Sequence, residues 1–308
     1  MRKVLLATTA IVALGGVSAA SADISVSGGA EFKYESWGGA NSTSANSNKV
    51  TNQTKFKISA SSVADNGMTL SAYTLQDGSS TGAFNDAGFS IADDWGTLGF
   101  WDAESGDAFE TNTDITAEEG YNGATNLSGT LKYHPTDSQI GPADVSYLSP
   151  NMGGFQFSVG YDDTGAAEDT TMMGGQYAMT AGDAAITLKY AASSKGSATT
   201  TGRDGTDATS MGLVVAMSGV TLTLAQNDTE VKATAASGDQ DYEASSASIA
   251  YTISDAMAVQ MYSGETDDKK NTSFKFKDTG YGLTYTITPG LAASVTHNSW
   301  DHTDSSGT

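Results

Sequence analysis

From Asp23 onward the chain alternates apolar and polar residues with a period of two, as a strand does when successive side chains point to opposite faces. Ile24, Val26, Ala30, Phe32 and Tyr34 share one face, and Ser25, Ser27, Glu31, Lys33 and Glu35 the other. The same alternation sets Phe56, Ile58 and Ala60 against Lys55, Lys57 and Ser59, and Leu98 and Phe100 against Thr97 and Gly99. It returns in Phe155, Phe157, Val159 and Tyr161, in Ile186, Leu188 and Tyr190, in Val220, Leu222 and Leu224, and in Tyr281, Leu283, Tyr285 and Ile287. About fifteen strands are predicted, near 23–36, 50–61, 68–76, 86–93, 96–101, 144–149, 155–162, 171–180, 185–192, 209–217, 220–226, 247–253, 257–262, 274–287 and 291–297. The third and eighth keep no single phase, because Tyr73, Leu75 and the Met172-Met173 pair interrupt it.

The connections alternate as well. Short turns are expected near Ala64 to Gly67, Asp93 to Gly96, Pro150 to Gly154, Ala181 to Ala184, Ser218-Gly219, Ser254 to Ala256 and Thr288 to Gly290. Between them lie long segments rich in Ser, Thr, Asn, Asp and Gly, near 37–49, 77–84, 102–143, 162–170, 193–207, 227–243 and 264–273. Short turns at one end and long loops at the other describe an all-β, antiparallel, up-and-down sheet, the rhythm of a transmembrane β-barrel. Pro135, Pro142, Pro150 and Pro289 all fall in connections, as they must where every strand is paired on both sides. Trp37, Trp95 and Trp101 fall near strand ends, at the height expected of an aromatic girdle. A soluble sandwich or solenoid also alternates, but its connections need not.

Composition fits this reading. Hydrophobic residues make up 38% of the chain and its mean hydropathy is −0.27, which argues against membrane helices but not against a barrel whose strands average to polar. The first 22 residues have the layout of a secretory signal peptide: Arg2 and Lys3, an apolar core from Val4 to Val17, then Ala20-Ser21-Ala22. Its removal takes the 15 basic groups to 13 against 36 acidic ones, and the formal charge from −21 to −23. Such an acidic chain, with Arg203 as its one remaining Arg, does not suit nucleic acid and favours cations. With no Cys there are no disulfides and no thiolate chemistry.

Enzyme motifs are missing: no G-x-S-x-G, H-E-x-x-H, P-loop or G-x-G-x-x-G occurs, and there are three His. His134 sits in the longest connection beside Pro135, and His297 and His302 flank Asp301 in what reads as a C-terminal loop. A hydrolytic His needs an orienting acid and a nucleophile or water; His297 with Asp301 is the one pairing of that kind, and a loop role fits both residues better. No cofactor is implied. Acidic pairs such as Asp162-Asp163 and Asp267-Asp268 offer hard oxygen ligands for loop-bound Ca²⁺ bridging lipopolysaccharide or subunits, though no EF-hand spacing defines a site.

Four stretches carry a family resemblance. Asp23-Ile-Ser-Val-Ser-Gly-Gly-Ala-Glu-Phe-Lys-Tyr34 resembles the first strand of the general trimeric porins of Gram-negative bacteria, alphaproteobacterial branch. Asp65-Asn-Gly-Met-Thr-Leu70 is similar to that family's D-x-G-L turn, and Trp95-Gly-Thr-Leu-Gly-Phe-Trp-Asp102 to its F-G-x-(apolar)-x-(apolar)-G-D strand. Val145-Ser-Tyr-Leu-Ser-Pro-Asn-Met-Gly-Gly-Phe155 resembles its Y-x-S-P-x-(apolar)-G-G-F hairpin. The first half of the chain carries these motifs; the second matches in rhythm. The resemblance implies a 16-stranded barrel, a homotrimer in the outer membrane and passive diffusion of small hydrophilic solutes. The family's last strand ends on an aromatic residue. Here the pattern lapses after Asn298, and the chain is expected to stop inside a long loop, one strand short.

In that family the loop after the fifth strand folds inward. The matching segment, Asp102 to about Ala143 within a barrel domain of 23–308, carries Asp102, Glu104, Asp107, Glu110, Asp114, Glu118 and Glu119. By the match, Asp102 and Asp107 are the constriction acids, with Glu104 and Glu110 extrapolated beside them. Lys33, Lys55 and Lys57 fall on the polar phase of the first two strands as the facing basic wall. Opposed acids and bases would set a transverse field across a water-filled constriction. The expected function is an outer-membrane diffusion porin that prefers cations, with lipid and lipopolysaccharide as surroundings. A non-porin barrel, an adhesin or structural anchor, is the alternative, and the direction taken by 102–143 separates the two.

Overall fold

A computed structural model of the protein describes residues 23–36, 48–77, 86–102, 143–163, 169–196, 205–232, 239–270 and 274–303. The signal segment, Trp37 and most of the long connections lie outside these residues. The chain divides after Gly106 into two compact units. The first contains β1 (Asp23–Ser36), β2 (Asn48–Val63), β3 (Thr69–Asp77), β4 (Asp86–Asp93) and β5 (Gly96–Asp102). The second contains β6 (Val145–Leu148), β7 (Phe155–Asp162), β8 (Thr170–Ala181), β9 (Ala184–Lys195), β10 (Gly205–Met217), β11 (Val220–Lys232), β12 (Gln240–Ser254), β13 (Met257–Asp268), β14 (Lys275–Thr288) and β15 (Leu291–Thr303). Within each unit every strand pairs antiparallel with its neighbours in sequence. All fifteen predicted strands form, and each short turn joins the pair expected of it.

The differences lie at the strand ends away from the short turns. β11 continues to Lys232 and β13 to Asp268, while β12 already begins at Gln240, so the loops predicted at 227–243 and 264–273 shrink to what lies between. These extensions lose the outer apolar stripe, and their inner phase mixes Val231, Tyr242 and Ala244 with Asn227, Thr229 and Thr266, yet their backbones continue the ladder. The same correction applies to the end of the chain. Ser299, Trp300, Asp301, His302 and Thr303 belong to β15, opposite Thr279 to Lys275 of β14, and not to a loop.

The two faces of the strands invert the usual order of burial. Ile24 is 71% exposed, Phe32 73% and Val295 73%, while Ser158 and Thr266 are 0% exposed. Among the described residues thirty-four large apolar side chains are exposed. At even ~1 kcal/mol each, leaving them in water would cost more than the roughly 5–15 kcal/mol by which a fold is stable. That face therefore requires an apolar surrounding. The opposite phase carries Ser146, Ser158, Ser210, Thr223, Asn227 and Ser246, all buried. In β12 to β14 it also carries the buried aromatics Tyr242, Tyr262 and Phe276.

The β6–β7 hairpin shows why Ser-Pro-x-x-Gly-Gly-Phe suits a tight return. Ser149 donates its N–H to the carbonyl of Phe157 at 2.8 Å, and its hydroxyl accepts the Phe157 N–H at 2.9 Å. Asn151 Oδ1 accepts the Gly154 N–H at 2.7 Å. Gly154 has φ of 97° and lies so close to the Ala178 carbonyl that a Cβ would strike it. Ser149→Ala, which orphans the Phe157 N–H, is expected to cost about 1–3 kcal/mol. Gly154→Ala should cost a similar ~1–3 kcal/mol through strain. Both would lower the temperature at which the folded band converts to the unfolded band in detergent gels.

Candidate functional site: the polar face of the wall

The polar phase of β1 and β2 holds the three predicted wall bases. Lys55 stands opposite Gly29, Lys57 opposite Ser27 and Lys33 opposite Thr51. All three share the face away from Ile24, Val26 and Phe56. Lys55 and Lys57 line an open depression of ≈ 370 Å³ together with Ser27, Gly29, Glu31 and Gln53. Lys33 lies further along β1, outside it. Gly29 leaves this surface open, since nothing lies within 4 Å of the place a Cβ would take.

Asp102 is the last residue of β5, with its backbone opposite Ala87. Glu104, Asp107 and Glu110, and with them His134 and the rest of the expected constriction loop, lie outside the described residues.

One residue of this face is misplaced when height along the strand is read alone. Trp101, expected in the aromatic girdle, belongs to the polar face: its ring lies over Gly88 of β4 and Gly99 of β5, where a Cβ would overlap it. Its parity with Thr97 and Gly99, and the glycine beneath it, were the available signals. Trp95, in the β4–β5 turn, is exposed as a girdle residue should be. Phe89 and Phe100 stack at 6.2 Å on the apolar face.

In the second unit the exposed face changes character along the strands, from Met261, Tyr281, Leu283 and Tyr285 to a belt of ion pairs. Lys277 meets Glu265 at 3.5 Å, Lys275 meets Asp267 at 3.1 Å, and Lys270 meets Glu230 at 3.3 Å. Lys232 pairs with Asp207. Lys269, just past the end of β13, reaches Glu243 at 3.1 Å and Asp228 at 3.8 Å. Asp228 and Glu243 are opposed across the β11–β12 ladder, so this cation relieves a like-charge pair. The belt marks where the apolar band ends.

The acidic pair Asp267-Asp268 does not form the joint chelate that the sequence suggested. Consecutive strand residues point to opposite faces. Asp267 pairs outward with Lys275, while Asp268 is buried and its Oδ1 accepts the backbone N–H of Lys270 at 2.9 Å. Asp162 closes β7, and just past it the Asp163 N–H donates to Asp144 Oδ2 at 2.9 Å. Among the described residues no group of three or more His, Cys, Asp or Glu is placed to hold a metal ion. His297 is a strand residue, its ring 5.1 Å from Tyr281, and Asp301 lies further along the same strand, opposite Lys277. The two are therefore not partners.

With an apolar outer face and a polar, lysine-bearing inner one in view, the comparisons with known proteins decide the family. A family model described as Gram-negative porin matches residues 7–305. The chain belongs to the Gram-negative porins. No curated protein sequence matches it. Solved structures share the fold. The anion-selective porin of Comamonas acidovorans, at 14% identity and a TM-score of 0.63, covers 92% of this chain over 90% of its own. A mutant form of the porin of Rhodopseudomonas blastica has 18% identity and a TM-score of 0.60 over 90% and 94%. OmpT of Vibrio cholerae, in a trimer form, has 11% identity and a TM-score of 0.65 over 93% and 90%. This porin is thus an all-β, antiparallel up-and-down transmembrane barrel of the bacterial outer membrane.

Pairing with Glu243, before its other causes, holds the Lys269 ammonium above the ordinary lysine range. A cation whose pKa is raised by folding stabilises fully below its unfolded value and loses that contribution as pH rises through the folded one. Lys269→Met is therefore expected to lower stability at neutral pH by roughly 0–1 kcal/mol, as for exposed pairs, and with it the thermal midpoint. The gap to the unmodified porin should close in alkali above about pH 10.4, as read by gel shift across a pH series.

Proposed function

We propose that this porin is a water-filled diffusion channel for small hydrophilic solutes and ions, with a preference for cations. The observation that carries it is the two-faced wall: large apolar side chains outside and Ser, Thr, Asn and Lys on the opposite face. An excess of 36 acidic over 15 basic residues supports the cation preference. In this reading Asp102, Glu104, Asp107 and Glu110 bear on the pore from the long connection, opposite Lys33, Lys55 and Lys57. The resulting transverse field orients dipolar solutes and disfavours apolar ones that would shed ordered water. One solved porin of this fold is described as anion-selective, so the fold by itself does not fix the sign of the preference.

The working form is a homotrimer in this proposal, as one solved outer-membrane protein of this fold is described in a trimer form. Its outer belt of lysines and carboxylates stands at the level of lipopolysaccharide headgroups.

Reconstitution in planar bilayers tests the reading. A reversal potential in a KCl gradient should show cation preference, and Asp102→Asn with Asp107→Asn should move it toward zero. A clear anion preference of the unmodified porin would overturn the selectivity. Liposomes bearing the porin should swell in sugars, faster for smaller ones; no size-dependent uptake would overturn the channel itself.

A further inference from the structure

On the polar face of β3 to β5 three residues stand level on neighbouring strands: Tyr73 opposite Gly88, and Gly88 opposite Trp101. A Cβ on Gly88 would overlap both rings, so Tyr73 and Trp101 lean over the glycine from either side. Their centroids are 6.0 Å apart with planes at 36°. Gly99 extends the floor under the indole. The result is a pair of neighbouring, mutually tilted rings, half-buried, on a face that also carries Ser27, Gln53, Lys55 and Lys57, with Leu75 opposite Lys57. Lys57 Nζ stands over the Tyr73 ring, 4.2 Å from its centroid, and Lys55 and Lys57 border the depression on β1 to β3.

Wall support alone does not account for this arrangement. A sheet needs only small side chains there, and glycine at two positions weakens the strands it sits in. What the two glycines provide is room for two large rings side by side. An aromatic surface with one ammonium over its tyrosine and a second beside it complements one class of solute: a planar ring bearing a carboxylate. The ring stacks on the indole, and the carboxylate meets the lysines.

We propose that Trp101, Tyr73, Lys57 and Lys55 form a subsite for aromatic carboxylates on the pore wall. It rests on the channel reading above. Weak binding suits a channel, since a solute must leave as readily as it enters.

The test uses the full porin in planar bilayers in KCl, with benzoate as probe and each variant's current normalised to its own open level. Benzoate should produce concentration-dependent interruptions or a fall in current. Cyclohexanecarboxylate, with the same charge but no planar ring, and benzyl alcohol, with the ring but no charge, should act more weakly. Trp101→Ala should raise the half-effective benzoate concentration about tenfold, the loss of one good aromatic contact. Trp101→Phe should recover part of it. Lys57→Gln should weaken benzoate while leaving the response to benzyl alcohol as it was. Heat-modifiable gel migration confirms that each variant folds, and Tyr73→Ala replaces Trp101→Ala if the latter does not. Equal responses to benzoate and cyclohexanecarboxylate, or a benzoate response indifferent to both aromatic variants, would overturn the subsite while leaving the channel standing. Absence of any KCl conductance in the unmodified porin would remove the channel reading, and the subsite with it.

Discussion

A chain that crosses lipid as strands must pair every backbone amide with another strand, because hydrocarbon offers no partner and an orphaned group costs several kcal/mol. The rest of this structure follows from that demand. Strands pair with their sequence neighbours in continuous register, interrupted among the described pairings by irregularities near Thr252 and Ser254 and near Thr286 and Thr288, close to the short turns. Once the backbone is committed to the ladder, side chains have two directions available, and the chemistry of the protein is divided between them. Ile24 and Val26 go one way, Ser27 and Lys57 the other. Burial then runs opposite to that of a soluble sheet, with Ser158 enclosed and Val295 exposed.

This constraint explains what the amino-acid sequence made legible. Wherever one face had to be apolar, period two was plain, and the strands near Asp23 to Ser36, Asp86 to Asp93 and Phe155 to Asp162 could be read almost to the residue. The short turns were equally readable, because Gly154 and Ser218-Gly219 take backbone conformations that few residues tolerate. Legibility failed where the outer face turns from apolar to charged. Asn227 to Lys232 and Ser263 to Asp268 have no apolar stripe, and they remain strands because the ladder continues and cross-strand charges such as Glu265 and Lys277 suit it. For the site, the parity of Lys33, Lys55 and Lys57 was enough to place them on one face. Trp101 was misplaced because its height near a strand end outweighed its phase, although the glycines around it pointed to the other face.

The same division of labour accounts for a fold shared with solved outer-membrane proteins at 9–18% identity. A barrel wall asks each position only whether it faces lipid or water, and Leu, Val, Ile, Phe, Met and Tyr answer alike on the outer side. Identity is free to drift while the register stays. Specific residues are demanded only where geometry is singular: the Ser149 hydroxyl that replaces a ladder partner, the glycine that admits two rings, the lysine that separates Asp228 from Glu243.

The strict neighbour-to-neighbour pairing has a kinetic consequence. Nearly every long-range contact within each unit joins adjacent strands, and every second strand pair closes over a short turn such as Ser218-Gly219. A topology of this kind has modest contact order for an all-β chain. Each hairpin can close before the next arrives, passing its register on through the strand they share, and a slipped residue in one hairpin would carry its error to every strand added after it.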